Sequence, residues 1–305
     1  MGEVHTGLLQ HSAAVSPEVA VGLVGLLRGV VVRSAQRPVA YVVSPDVLEG
    51  VDCHLAHAKD AKVRGVGTTI SRVSITGGHV LQGSAYTQIR PGALGRRLPW
   101  SYYLARPGVV ETVDKAEGAP LAEGFLDDRA GAGLLDLGAI GSRTMDRVQV
   151  SSALDHRPAL RSARTRVRWV ALSGDTPPAI TFTVRRDART IRLRGVADGD
   201  AVVAAAVATL CEDLALHDWL LTTLLSEVGR AQLGGGERMA ALARLQPAID
   251  HLLHLWMPAA RVAADLAGLW ESLDRRPGLS SQWEATVRRI RDQLALAAVA
   301  TIGRR

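Results

Sequence analysis

Two groups of side chains have the types and spacing that hold metal ions. Cys53, His54 and His57 cluster in one short stretch, and His251 and His254 stand three apart, on one face of a helix. Thiolate and imidazole together suit zinc. A site would need both distant segments to meet, and no compact Cys/His template with two matched halves is present, so no metal is expected. The bland alternative has His251 and His254 lining a packing surface beside Trp256. A second concentration of titratable groups is Glu212, Asp213, His217 and Asp218. Asp213 and His217 are four apart, which lets a carboxylate orient an imidazole for acid–base work but equally makes an ordinary stabilising pair. Trp219 and Leu220 continue an apolar stripe at that point and favour the structural pair. The sequence holds no GxSxG, HExxH or Walker A motif, and Gly65-Val66-Gly67 lacks the third glycine and following helix of a dinucleotide loop. No catalytic residue is assigned and no cofactor is expected. The reading leans away from an enzyme, with a metal-dependent hydrolase or transferase built from His5, Asp52, His54 or His217 as the least favoured alternative.

Charge is the other chemical signal. The chain carries 36 Lys and Arg against 30 Asp and Glu, a net of +6. Between Gly141 and Asp200 lie twelve arginines and six aspartates, so the whole excess sits in that stretch. Lysine occurs only at Lys59, Lys62 and Lys115, and with Ala, Gly, Leu and Val also abundant, the preference for arginine fits GC-rich coding. Position therefore says more than abundance. Arg164 to Leu172, Ile180 to Arg185 and Thr190 to Arg194 read as strands, separated by Gly174-Asp175-Thr176-Pro177-Pro178 and by Asp187-Ala188. Alternation puts Val167, Trp169, Phe182, Val184, Ile191 and Leu193 on one face and Arg164, Arg166, Arg168, Arg185, Arg192 and Arg194 on the other. The expectation is a three-stranded, Arg-faced meander. Six guanidinium groups on one face need acids, solvent or an anionic partner, nucleic acid included. No stacking aromatics are interleaved on that face, which counts against single-stranded RNA.

The elements that must position these groups are α+β. Glu3 to Leu9 opens as a strand, Ser16-Pro17-Glu18 starts a helix, and Val39 to Val43 is a second strand. Arg64 to Ile89 reads as a β-hairpin around Thr76-Gly77-Gly78-His79. Residues 115–133, rich in Gly, Ala and acids, read as an internal loop, and a helix is expected from Leu137 to Leu154. From Ala201 onward the period becomes helical, with Gly234-Gly235-Gly236 as an interruption, and a C-terminal helical bundle follows. The division is a mixed domain over 1–198 and a helical domain over 199–305. Leu98 to Leu104 gathers aromatics in a chain otherwise poor in them. Trp100, Tyr103, Trp219 and Trp256 are candidate partner-docking residues, with burial under a turn as the alternative for the first two.

Two cysteines far apart, an acid and a histidine where a secretory leader carries basic charge, and no long apolar run predict a cytoplasmic protein with no membrane span. The phrases GEVHTGLLQHSAA at Gly2–Ala14, LPWSYYLARPGVVE at Leu98–Glu111, LCEDLALHDWLLTTLL at Leu210–Leu225 and DHLLHLWMPAARV at Asp250–Val262 resemble an uncharacterised actinobacterial family. That family is encoded in a small gene cluster together with a variant P-loop protein. The resemblance implies a multi-protein system with the P-loop protein as partner, and implies no reaction. The expected function is a non-enzymatic accessory or scaffold subunit, with nucleic-acid or polyanion binding through the arginine face as the alternative. Oligomeric state is not legible.

Overall fold

The computed structural model describes residues 1–302 apart from 60, 93–94, 129–130, 186–187, 198 and 232–237, and their side chains apart from 238 and 297–302. The Gly234-Gly235-Gly236 interruption lies outside the described residues. The centre of the fold is the hairpin of β5 (Val63–Thr76) and β6 (Val80–Tyr86). Gly77 and Gly78, at φ 59° and 69°, supply the left-handed pair that a two-residue turn between right-twisted strands requires. β1 (Gly2–Leu8) lies between β6 and β9 (Thr165–Ser173), antiparallel to both. On the far side, β3 (Tyr41–Val43) and β2 (Arg33–Ala35) follow β5, while β4 (Val47–Leu55) pairs with the first half of β5. β7 (Gln88–Pro91) continues β6 and runs parallel to β8 (Val109–Thr112), which joins β5. With β10 (Ala179–Arg185) and β11 (Ala188–Val196), the described residues form one mixed sheet of eleven strands.

The expected meander is corrected by the strand order. β11 lies between β9 and β10, parallel to β9, so β9 and β10 are not neighbours. The five residues Gly174–Pro178 reach about 16 Å when extended, enough to step over one strand, and Pro177 and Pro178 carry no N–H for a tight hairpin. The register still puts Arg168, opposite Thr190, and Arg192, opposite Val170, on the face away from Trp169 and Ile191.

One face of the sheet carries α1 (Pro17–Val24), α3 (Gly118–Leu126) and α4 (Leu137–Gln149). The helix α3 corrects the loop expected over 115–133. Ala122 and Phe125 bury themselves against Val170 and Ala85 while Leu121 packs with Leu55, Val63 and Val110, outweighing the Gly- and acid-rich composition. The opposite face carries α5 (Ala201–Ala231), in which every residue from Leu210 to Leu221 is buried. A helix buried on every side is a core helix. α6 (Arg238–Leu252), α7 (Ala267–Arg275) and α8 (Leu279–Ile302) pack around it, and Val4, Trp169 and Ile191 of the sheet share one core with Leu214, Trp219, Trp270 and Trp283. The boundary at 198/199 thus falls between sheet and helices that bury a common core. No described helix is long and apolar enough to cross a membrane.

Candidate functional site

Polar groups stand at the middle of the interface between sheet and α5. Strand alternation brings Arg72 and Ser74 of β5 and Gln82 and Ser84 of β6 to the face that meets Glu212. Arg72 clasps the carboxylate with Nε to Oε1 at 2.7 Å and Nη2 to Oε2 at 3.0 Å. Arg261 donates to Oε2 at 3.0 Å and the Ser84 hydroxyl to Oε1. Glu212 is 2% exposed and Arg72 likewise. Burial alone would raise the Glu212 pKa, but the two guanidinium groups outweigh it and hold the carboxyl below its usual range. The result is a buried cluster of two cations and one anion whose ligand is the protein itself. Arg72 and Arg261 were not singled out from sequence, because nothing local marks an arginine in a Ser/Thr-rich strand as the partner of a helix 140 residues away.

Asp213 and His217 also turn inward. Asp213 Oδ2 accepts the Ala259 N–H at 2.9 Å, pinning the turn after α6 to α5. His217 Nδ1 lies 2.7 Å from the backbone oxygen of Asp213 and 3.5 Å from its carboxylate. Both side chains are 1% exposed, and the ring is packed edge-on to Trp256 with Trp270 nearby. This is the structural pair, with neither group open to a substrate. Asp218 faces Arg189 of β11 at 2.5 Å.

The arginine face is matched by acids from the elements above it. Glu3, buried in β1, accepts from Arg166 and, at 2.9 Å, from Arg168, and Asp128 pairs with both. Burial would raise the Glu3 pKa, yet a hydrogen bond from His5 and the two arginines pull it down to about 2. A Cβ on Gly138 of α4 would come 2.1 Å from Glu3 Oε1, so the glycine makes room for this carboxylate. Arg164 pairs with Asp146 of α4 at 3.0 Å, and Arg192 with Glu123 of α3. Arg194 is exposed near Glu123, and Arg185 is exposed on the edge strand. Arg166, Arg168 and Arg192 are thus partly buried beneath these acids, while Arg164, Arg185 and Arg194 stay exposed.

The metal candidates do not assemble. Cys53 and His54 lie on β4, where burial first and Asp52 second push the Cys53 thiol up to about 11. His54 exchanges backbone hydrogen bonds with Gly133 and Leu135, and His57 Nδ1 accepts the Lys59 N–H at 3.2 Å. His251 instead meets His79 of the β5–β6 turn, Nδ1 to Nε2 at 3.0 Å, and His254 is exposed beside them. Among the described residues no three His, Cys, Asp or Glu side chains form a ligand set. Asp52 is bound by Arg64 and Arg97, His5 sits 3.3 Å from Glu3 and His217 lies 3.5 Å from Asp213, so these three of the residues proposed for a hydrolase are held in separate pairs.

The docking candidates divide. Trp219 is completely buried with Nε1 donating to Ala163 O at 2.9 Å, and Tyr103 is buried with its hydroxyl accepting the Leu98 N–H at 3.0 Å, so both are corrected to core side chains. Trp256 is half-buried and stacked on Trp283 at 4.4 Å. Trp100 is different. It begins α2 (Trp100–Leu104), packs on Gly50 of β4, carries the Arg97 guanidinium 5.3 Å over its ring, and remains 37% exposed. Leu104, one turn on, and Leu48, two residues before Gly50 on the same strand face, are exposed too.

No protein-family model, curated protein or solved structure matches the chain.

Proposed function

We propose that this chain is a non-enzymatic, cytoplasmic accessory subunit that docks a protein partner. The resemblance points to the variant P-loop protein of the same gene cluster as that partner. The observation that carries the reading is the contrast between interior and surface. Carboxylate, imidazole and guanidinium groups concentrated at Glu212, Asp213, Glu3 and Arg168 are bound to one another inside the fold, while a tryptophan fixed by Gly50 and Arg97 is offered outside between two exposed leucines. An aromatic ring held rigid at the surface beside an arginine is the composition of an interface hot spot. Its immobilisation also lowers the entropy lost on association.

The test is affinity purification of the purified chain with the P-loop protein, wild type against Trp100→Ala/Leu104→Ser. Both residues are surface-exposed, so the variant is expected to fold and to lose at least about tenfold in affinity, the level of a modest hot spot. Undiminished binding by the folded variant would remove the patch from the reading.

A further inference from the structure

The turn that closes the β5–β6 hairpin anchors two other segments. The Gly77 N–H donates to Ala40 O at 2.8 Å and the Val15 N–H donates to Gly78 O at 3.1 Å, so the approach to β3 and the entry to α1 are tied to adjacent residues of one turn. Neither glycine admits a side chain: a Cβ would come 2.2 Å from Leu255 Cδ2 at Gly77 and 2.6 Å from Val15 O at Gly78. Between the anchored segments a cavity of about 400 Å³ opens to solvent. Val42 and Ile75, paired across β3 and β5, wall it together with Val39 and Leu255, all four buried. Gln36 and His254 stand exposed at its mouth.

The walls are apolar, and the charge around the mouth is of one sign. No Asp or Glu lines the cavity, and residues 19–45 contain none. The His254 pKa is lowered, by burial first and His251 second, so this ring is neutral at pH 7. Arg33 shares a face of β2 with the lining residue Ala35, and Arg37 stands between the lining residues Gln36 and Pro38. Both arginines are exposed, and neither forms an ion pair with a described residue, in contrast to Arg166, Arg168 and Arg192. Just before Arg33, Val30 and Val31 are exposed too, at 50% and 82%.

We propose that this cavity binds an amphiphile with an anionic head, the apolar chain lying between Val42, Ile75 and Leu255 and the carboxylate or phosphate head against Arg33 and Arg37. Apolar walls with a few polar groups at the mouth are the composition of a small-molecule site, and the volume falls within the range of about 300–1,000 Å³ such sites span. A cavity of about 150 Å³ holds benzene, so this one has room for a chain of about ten carbons. A guanidinium offers a carboxylate or phosphate two parallel N–H bonds, and here two guanidinium groups are left without an acid of the chain. A free fatty carboxylate and a lipid presented by a membrane offer the same chemistry. In the second case the exposed Val30 and Val31 enter the bilayer surface beside the anionic heads.

The probe is decanoate, with decanol and decylamine as its neutral and cationic counterparts, titrated below their micelle concentrations into the full chain carrying labelled Val, Ile and Leu methyl groups. Decanoate is expected to shift the methyl signals of Val42, Ile75 and Leu255 and to bind at least about tenfold more tightly than decylamine. Arg33→Glu/Arg37→Glu, at two exposed positions, should lower decanoate affinity at least about tenfold while leaving decanol affinity and thermal unfolding unchanged. Vesicles separate the two sources. Sedimentation with phosphatidylglycerol vesicles but not with phosphatidylcholine vesicles, weakened in Val30→Ser/Val31→Ser, assigns the amphiphile to a membrane, and decanoate binding without sedimentation assigns it to a free acid. The proposal is overturned if decanoate leaves the three methyl signals in place, if decylamine binds as tightly as decanoate, or if the charge-reversed variant keeps wild-type affinity for decanoate.

Discussion

Replacing Glu212 with glutamine should be the most damaging single change at the seam between sheet and helices. The substitution keeps shape but removes the one carboxylate that, among the described residues, is hydrogen-bonded to Arg72 and Arg261, leaving two guanidinium groups, 2% and 4% exposed, without that anion. Breaking a buried ion pair from one side costs about 3–5 kcal/mol, because the surviving charge keeps its desolvation penalty. For 305 residues unfolding with an entropy of about 2.1 cal/mol/K per residue, that cost corresponds to a fall in Tm of about 5–8 °C. Arg261→Met removes the second cation instead and leaves Arg72 and Glu212 as a neutral, bidentate pair, so its cost should be clearly smaller. The double variant Arg72→Met/Glu212→Met exchanges charge for apolar volume on both sides and should be less destabilised than Glu212→Gln alone. Thermal and urea unfolding of the four proteins give the comparison. A Glu212→Gln loss no larger than that of Arg261→Met, or a double variant worse than Glu212→Gln, would refute the account of the cluster as two buried cations held by one carboxylate.

Two pH responses should be separable. The His79 pKa is lowered from 6.5 to about 4, by burial first and then by His251, His254 and His11, so the unfolded chain takes up this proton before the folded one. Its contribution is complete above pH 6.5 and is lost as pH falls from 6.5 to about 4, a loss of about 3 kcal/mol at most. Glu3, lowered from 4.5 to about 2, contributes fully above pH 4.5 and is lost between 4.5 and about 2. Urea midpoints against pH should show the upper decline vanish in His79→Phe and the lower one in Glu3→Gln, whatever the offset in overall stability. Arg166→Gln/Arg168→Gln should lower Tm by stranding buried Glu3, and should leave retention on a nucleic-acid column at fixed salt unchanged. A weakened salt-sensitive retention would restore the polyanion reading.

What the sequence made legible was whatever depends on near neighbours. The Gly77-Gly78 turn needs only two residues able to take positive φ, and the hairpin it closes was readable. The alternation that separates Arg166 and Arg168 from Val167 and Trp169 is a property of one strand, so the two sets could be told apart. The order of β9, β10 and β11 was not readable, since a five-residue connection is compatible with adjacent strands as well as with a skipped position, and only long-range pairing decides. The residues over 115–133 misled because composition describes a loop well, while burial of Ala122 and Phe125 under β9 is a tertiary gain invisible in the segment itself.

The charged groups illustrate the same limit with a functional consequence. Counting charge found the arginine excess between Gly141 and Asp200, but charge counted along the chain cannot see Glu3 in the first strand or Glu123 and Asp128 in the covering helix and its end, which come from elsewhere to meet it. Likewise Glu212 reads as one acid in an acid–histidine helix until two distant arginines close on it. An excess of one sign in a segment is therefore a statement about which other segment must fold against it, as much as about what must bind from outside. In this chain the folding requirement absorbs Arg143, Arg164, Arg166, Arg168, Arg189 and Arg192 of that stretch. Arg185 and Arg194 still face outward, as does Trp100 beneath the Arg97 guanidinium.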